Sequence, residues 1–260
     1  MSDLVLWEVR NGVGHMVLNQ PERGNVISTA MAHNLKAVVE RACNADIGAL
    51  LISASGKQFC VGGDISEFGE HRERLAPLIG AMLDLLNPVM HQLASLPLPV
   101  ISAVQGPVGG GGIGLALCAD LVLASRHMFL RGGYSAIGLS PDLGVSGYLT
   151  RRAGAARAKC ILMSNRAVAA EDCLRMGLVD ELHEPEQLLA AATALAEELA
   201  GGPTNSLAGI KSLCDSAHRQ DLQQQLSAER EAMLACARSG NSLEGVTAFL
   251  QKRKPVFQRR

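Results

Sequence analysis

The residues best suited to chemistry in this chain lie in the stretch PVISAVQGPVGGGGIGLALCADLVLA, residues 99–124. An apolar run stops at Gln105-Gly106, and four consecutive glycines, Gly109 to Gly112, follow. A compact apolar segment then leads to a second apolar run after Asp120. The pattern predicts buried strand, glycine loop, short helix, buried strand. Glycines at a helix start let a ligand approach N–H groups that have no intrahelical partner, where the helix dipole also favours negative charge. Such a loop suits an anion, or an oxygen that becomes one during a reaction. Gly109-x-Gly111-x-x-Gly114 also satisfies a dinucleotide fingerprint formally. It fits that role poorly, because two residues separate the strand from the first glycine and the helix is short. No acidic residue stands about 20 residues further on to hold a ribose. Glycines that only permit close packing are a third reading. A second loop upstream, GKQFCVGGDISEF at residues 56–68, favours the oxyanion.

Strands and helices must position these loops. Residues 4–9 and 15–18 read as strands paired across Asn11-Gly12. Ser28 is placed to cap a helix running to about Cys43, and residues 49–53 form a short buried strand that feeds the upstream loop. A largely helical stretch, about 73–96, leads into the central strand. Beyond Asp120, residues 121–124 and 128–130 read as strands and 145–152 as a helix, and the strand-helix alternation closes at 177–182. From Pro185 onward the pattern is helix only, over residues 186–200, 203–218, 222–237 and 243–253. Gly201-Gly202-Pro203 marks the expected boundary between an α/β core, residues 1–200, and a helical region, residues 201–260.

Composition removes several function classes. A chain of 260 residues with 48% hydrophobic content can build a large core, while 3% aromatic content leaves little for stacking on bases or sugars. A formal net charge of -1 argues against a nucleic-acid partner. The seven cysteines are odd in number and lack any C-x-x-C, which fits buried thiols in a reducing cytoplasm better than disulfides or zinc. The seven histidines show no H-x-x-x-H spacing, so no metal is expected. The start MSDLVLWEVR lacks the apolar core of a signal peptide. Residues 85–119 carry no Asp, Glu, Lys or Arg, yet Pro88, Pro97, Pro99, Pro107 and the glycines interrupt them. That stretch is expected to be globular interior and not a membrane span.

Four motifs, taken together and in order, carry a resemblance. Residues 56–65, AVQGPVGGGGIGLALCADLVLAS, GLSPDLG and EGVTAFLQKRKPVF resemble the crotonase (enoyl-CoA hydratase/isomerase) superfamily over essentially the whole chain. The resemblance implies an α/β fold: a spiral of ββα units followed by a C-terminal helical trimerisation region. It implies a homotrimer, or a hexamer made as a dimer of trimers, acting on an acyl-CoA with no separate cofactor. It also implies that the N–H groups of Gly63 and Gly111 bind the thioester oxygen. Removing a proton α to a thioester places negative charge on that oxygen, and each preorganised donor is typically worth about 2.7–4 kcal/mol. By the same resemblance the backbone from Gly63 through Asp64 to Ile65 holds the adenine. Arg23 and Lys252 are candidates for the CoA phosphates, and both are equally suited to an ordinary surface position.

The departures from the hydratase pattern are as informative. Hydratases of this superfamily carry two glutamates, at positions that correspond here to Gly114 and Tyr134. Water addition uses such a pair for acid and base work. One carboxylate remains in GLSPDLG, Asp142, where isomerase branches of the superfamily place their acid. A single carboxylate suffices for 3-enoyl-CoA to 2-enoyl-CoA isomerisation, taking a proton from C2 and returning it to C4. Asp142 would equally suit the N-cap of the following helix. Tyr134 suits either a wall of the pocket or a hydrogen-bond donor within it. Asp64 resembles a structural aspartate, and Glu67, Glu70 and His71 lie in a charged segment that suits a solvated face. The alternatives to isomerisation are a hydratase with atypical acid-base residues, hydrolysis or nucleophilic displacement through Asp142, and a catalytically silent CoA-ester binder.

Overall fold

The computed structural model describes residues 3–258. The chain opens with a hairpin of β1 (Val5–Arg10) and β2 (Val13–Leu18), antiparallel across Asn11 and Gly12, which turn with φ of 52° and 75°. Helix α1 (Thr29–Asn44) follows, and the Ser28 hydroxyl accepts from the Met31 N–H, satisfying one of the donors a helix start leaves over. Met31, Leu35, Val38, Val39 and Ala42 form its buried stripe at helical spacing. Next come β3 (Ala49–Ala54), α2 (Ile65–Glu70), α3 (Leu75–Ser95) and β4 (Val100–Val104). Then β5 (Pro107–Gly109), α4 (Gly111–Leu117), β6 (Leu121–Ser125) and β7 (Phe129–Arg131) complete the centre of the molecule. They lead to α5 (Val145–Ala153), α6 (Ala155–Ser164), β8 (Val168–Ala169), α7 (Ala170–Arg175) and β9 (Glu181–His183). Four longer helices end the chain: α8 (Pro185–Ala200), α9 (Thr204–Ser216), α10 (Leu222–Ala237) and α11 (Gly240–Leu250).

These elements form the expected spiral. Strands β1, β2, β3, β4, β6 and β9 make a six-stranded sheet in that order, parallel from β2 onward. After each of β2, β3, β4 and β6, a short extended piece joins a second layer before the chain enters a helix. Ile27 bridges to Gly63, Cys60 to Val108, and Val108 to Leu130, so each turn stacks one rung beside the last. The rung Cys60, Val108, Leu130 and Val168 is buried throughout. Side-chain alternation gives the large sheet two faces. Leu50 and Ile52 point into the main core with Phe59, Ile113 and Leu93, while Ala49, Leu51, Ile101 and Leu123 meet α8. Helix α8 approaches through Ala192, Ala196 and Ala200, and Gly48 is the matching gap against the Ala200 backbone. Truncating a fully buried side chain such as Ile52 to alanine is expected to cost about 2–5 kcal/mol.

Several features differ from the sequence expectation, among them helix α2 within the upstream glycine loop. The glycine loop contains a strand, β5, because its three residues pair with β7 in the second layer. Helices α6 and α7 arise in a stretch whose apolar pattern is weak. Helix α6 is capped at its end by Asn165 in the left-handed conformation, φ 52°, and buries only Ala158 and Ile161.

Candidate active site

The spiral brings the two glycine loops into direct contact. Gly62, with φ of 99°, lies against the Gly109 carbonyl, and Gly109 lies against the Val61 carbonyl, so a Cβ at either position would meet backbone within 2.9 Å. Gly110 has φ 47° and ψ -131°, a conformation open only to glycine. Its N–H donates to the Arg131 and Gly132 carbonyls at 3.3 and 3.2 Å. The next N–H, that of Gly111, opens α4 and therefore has no intrahelical acceptor. In the other loop, Ile27 donates to the Gly62 carbonyl and Asp64 donates to the Ile27 carbonyl. That parallel pairing turns the Gly63 N–H to the opposite side. Among the described residues, neither the Gly63 nor the Gly111 N–H has a protein acceptor.

Both glycines line a cavity of about 460 Å³. Its walls are mostly apolar, with Ile65 and Phe68 of α2, Ile79 and Leu83 of α3, and Ile137 and Leu139 on the far loop. A smaller recess of about 30 Å³ continues inward past Gly63, Gly111 and Asp142 to Met82 and Leu86. Among the described residues, Asp142 is the sole carboxylate lining the cavity. One of its oxygens, Oδ1, is 3.3 Å from where a Cβ on Gly111 would stand. The same oxygen accepts a hydrogen bond of 2.5 Å from the Tyr134 hydroxyl. Burial raises the Asp142 pKa above the ordinary aspartate value, and the Tyr134 hydrogen bond opposes that rise. The Tyr134 hydroxyl itself is driven strongly upward by burial and by the facing carboxylate, so it stays protonated as a donor.

The other sequence candidates are distributed as follows. Asp142 does not cap α5 through its side chain: Gly144 occupies the N-cap, and only the Asp142 backbone carbonyl takes part, accepting from Val145. Leu143, with φ of 45°, turns the backbone between them. Asp64 is 3% exposed and caps α2, accepting from Ser66 and Glu67 N–H. It is also paired at 2.8 Å with Nη2 of Arg23, whose side chain is otherwise partly exposed. Ile65 begins α2 and lines the cavity, whereas Lys252 lies beyond α11 and does not. Glu67 accepts from the Thr29 N–H at the start of α1, and neither it, Glu70 nor His71 lines the cavity.

The charged segment at residues 66–77 contributes little to the pocket wall. Only Phe68 of that segment reaches the cavity; α3 supplies Ile79 and Leu83. The apolar face of α3 was the available signal. Arg131, at the end of β7, also lines the cavity and donates through Nε to the Asn165 carbonyl at 3.0 Å.

Residues 8–260 match the enoyl-CoA hydratase/isomerase family. The chain is 36% identical over 259 residues to the 1,2-epoxyphenylacetyl-CoA isomerase of Escherichia coli K12, covering 99% of each chain. It is 31% identical to the trans-2-decenoyl-[acyl-carrier-protein] isomerase of Streptococcus mutans, covering 97% of each. A crystal structure of an enoyl-CoA hydratase from Polaromonas sp. JS666 superposes with a TM-score of 0.92 at 29% identity, covering 98% of this chain and 99% of that one. With two facing glycine loops on a ββα spiral and matches of this extent, the chain belongs to the enoyl-CoA hydratase/isomerase, or crotonase, superfamily and is an enzyme of the crotonase type.

Proposed function

We propose that the protein isomerises 3-enoyl-CoA thioesters to 2-enoyl-CoA thioesters, with Asp142 as the single proton shuttle. The observation that carries this reading is a lone carboxylate set beside two unpartnered N–H groups in an apolar cavity. The thioester oxygen would accept from Gly63 and Gly111. Asp142 removes a proton from C2, and the electron pair of that C–H bond passes into a dienolate whose charge rests largely on the thioester oxygen. The carboxyl then returns the proton to C4, so the double bond moves from C3–C4 to C2–C3. No electrons are gained or lost, and the step needs no cofactor beyond the CoA of the substrate. Relatives are named both as isomerases, one of an acyl-CoA and one of an acyl-[acyl-carrier-protein], and as hydratases, so the choice between them rests on the site. Gly114 and Tyr134 support isomerisation, since they cannot supply the two carboxylates of a hydratase.

The test is Asp142→Asn with 3-enoyl-CoA. Loss of at least about a hundredfold in kcat is expected, the usual scale for a general base. A substrate deuterated at C2 should keep part of its label at C4, as a one-base shuttle requires. Wild-type rates in the asparagine variant, or conversion to a 3-hydroxyacyl product, would overturn the proposal.

The assembly follows the same reading. Helices α9 to α11 bury only Ala248, while Leu226, Met233, Val246, Phe249 and Leu250 stand exposed on α10 and α11. Those apolar faces suit contacts between copies in a homotrimer or a hexamer.

A further inference from the structure

We propose that Tyr134 is a positioning residue for the proton shuttle, holding Asp142 by Oδ1 so that Oδ2 takes and returns the proton. The proposal rests on the isomerase reading above. Tyr134 donates to Oδ1 at 2.5 Å, and among the described residues Oδ2 receives no side-chain donor. Tyr134 is 7% exposed, and the turn that carries it is anchored outside the Asp142 loop as well as within it. The N–H of Gly133 donates to Asn165 Oδ1 at 2.7 Å, tying the turn to the end of α6. The Tyr134 carbonyl accepts from Ile137 and Leu139 at 3.1 and 3.0 Å.

This anchorage has two chemical consequences. A carboxylate among apolar walls is destabilised as an anion, and a hydroxyl donated to it favours the ionised form that must start the reaction. Once Oδ2 carries the proton, Oδ1 remains an acceptor for the same hydroxyl. The carboxyl group therefore keeps its plane while the proton waits between C2 and C4. The other titratable groups nearby do not take over this role. Arg131 lines the cavity with its Nε engaged by Asn165, and the Cys60 thiol near Tyr134 is buried, its pKa pushed up to about 12.

Tyr134→Phe removes the hydroxyl and keeps the ring. The expected result is a kcat for 3-enoyl-CoA lowered about tenfold to a hundredfold, with KM changed little. The acid limb of the pH profile should move upward, because the hydroxyl that favours the ionised carboxyl is gone. Difference infrared spectroscopy of the substrate-free enzyme, with Asp142→Asn as the blank, follows the carboxyl titration without turnover. Its midpoint should move upward in Tyr134→Phe. An unmoved midpoint and acid limb overturn the role of Tyr134, whereas wild-type activity in Asp142→Asn overturns the isomerase reading, so the two failures are separable.

Discussion

The carbonyl oxygen of Leu143 presses against the face of Gly114 at which a side chain would begin, closer than a real Cβ tolerates. The Leu143 Cβ adds a second contact at 3.1 Å. Position 114 is where the hydratase pattern carries a glutamate, so this site is filled by the chain's own backbone and not simply left empty. The loop of Asp142 and the absence of that glutamate are one steric arrangement.

Gly114→Glu is therefore expected to fail as a route to hydration. Its side chain can enter only by displacing Leu143, and overpacking of this kind typically costs about 1–3 kcal/mol. The urea midpoint should fall, isomerisation should fall with it as Asp142 is dragged along, and no 3-hydroxyacyl product should appear. A variant that hydrates 2-enoyl-CoA at wild-type stability would refute the steric argument.

Gly111 can be tested by comparing two substitutions. Both alanine and proline place a Cβ there, 2.9 Å from Leu143 Cδ1, 3.2 Å from Ile27 Cδ1 and 3.3 Å from Asp142 Oδ1, so both crowd the same side-chain atoms. Only proline removes the N–H, at a first helical position where proline is otherwise tolerated. Gly111→Pro should lose about 10²–10³-fold in kcat relative to Gly111→Ala, the loss expected for one oxyanion donor. Equal activity in the two variants would show that the Gly111 N–H does not bind the thioester oxygen.

The loops were legible in the sequence because close backbone contact demands glycine, and Gly62, Gly109 and Gly110 answer that demand with almost no alternative. The helix starts at Ser28 and the hairpin at Asn11-Gly12 were legible through local capping and turn chemistry. The Tyr134–Asp142 bond was not, because the side-chain contact depends on the path of the loop between them. The capping reading of Asp142 failed for a related reason: Leu143 and Gly144 both adopt positive φ, and the helix begins two residues later than an aspartate cap requires. The Arg23–Asp64 pair was equally hidden, since 41 residues separate its partners.

Assembly gives a further prediction. Phe249 is 84% exposed and Leu250 75%, at the end of α11, where Arg253 and Glu244 pair to hold the chain that follows. Light scattering at micromolar concentration should report a trimer or a hexamer, and Phe249→Glu should shift the protein toward smaller species. A wild-type monomer at that concentration would count against contacts through these helices.

The last prediction concerns the stability that Asp142 costs. Burial raises its pKa in the folded chain above the ordinary value of 3.8, so the folded protein binds this proton more tightly than the unfolded chain does. Above the folded value, the buried anion subtracts from folding stability; below 3.8 the carboxyl is neutral in both states and the penalty vanishes. Asparagine at this position carries no charge at any pH and still offers Oδ1 to the Tyr134 hydroxyl. Asp142→Asn should therefore be more stable than the wild type near neutral pH, by an amount that shrinks as the pH falls through the folded value toward 3.8. Paired urea titrations of the two proteins across that range provide the measurement. A difference that is constant with pH, or a wild type that gains on the variant as pH rises, would show that the folded chain does not disfavour the anion. The expected trend would instead identify the carboxylate as a group held against the preference of its surroundings, as a base that must later carry a proton requires.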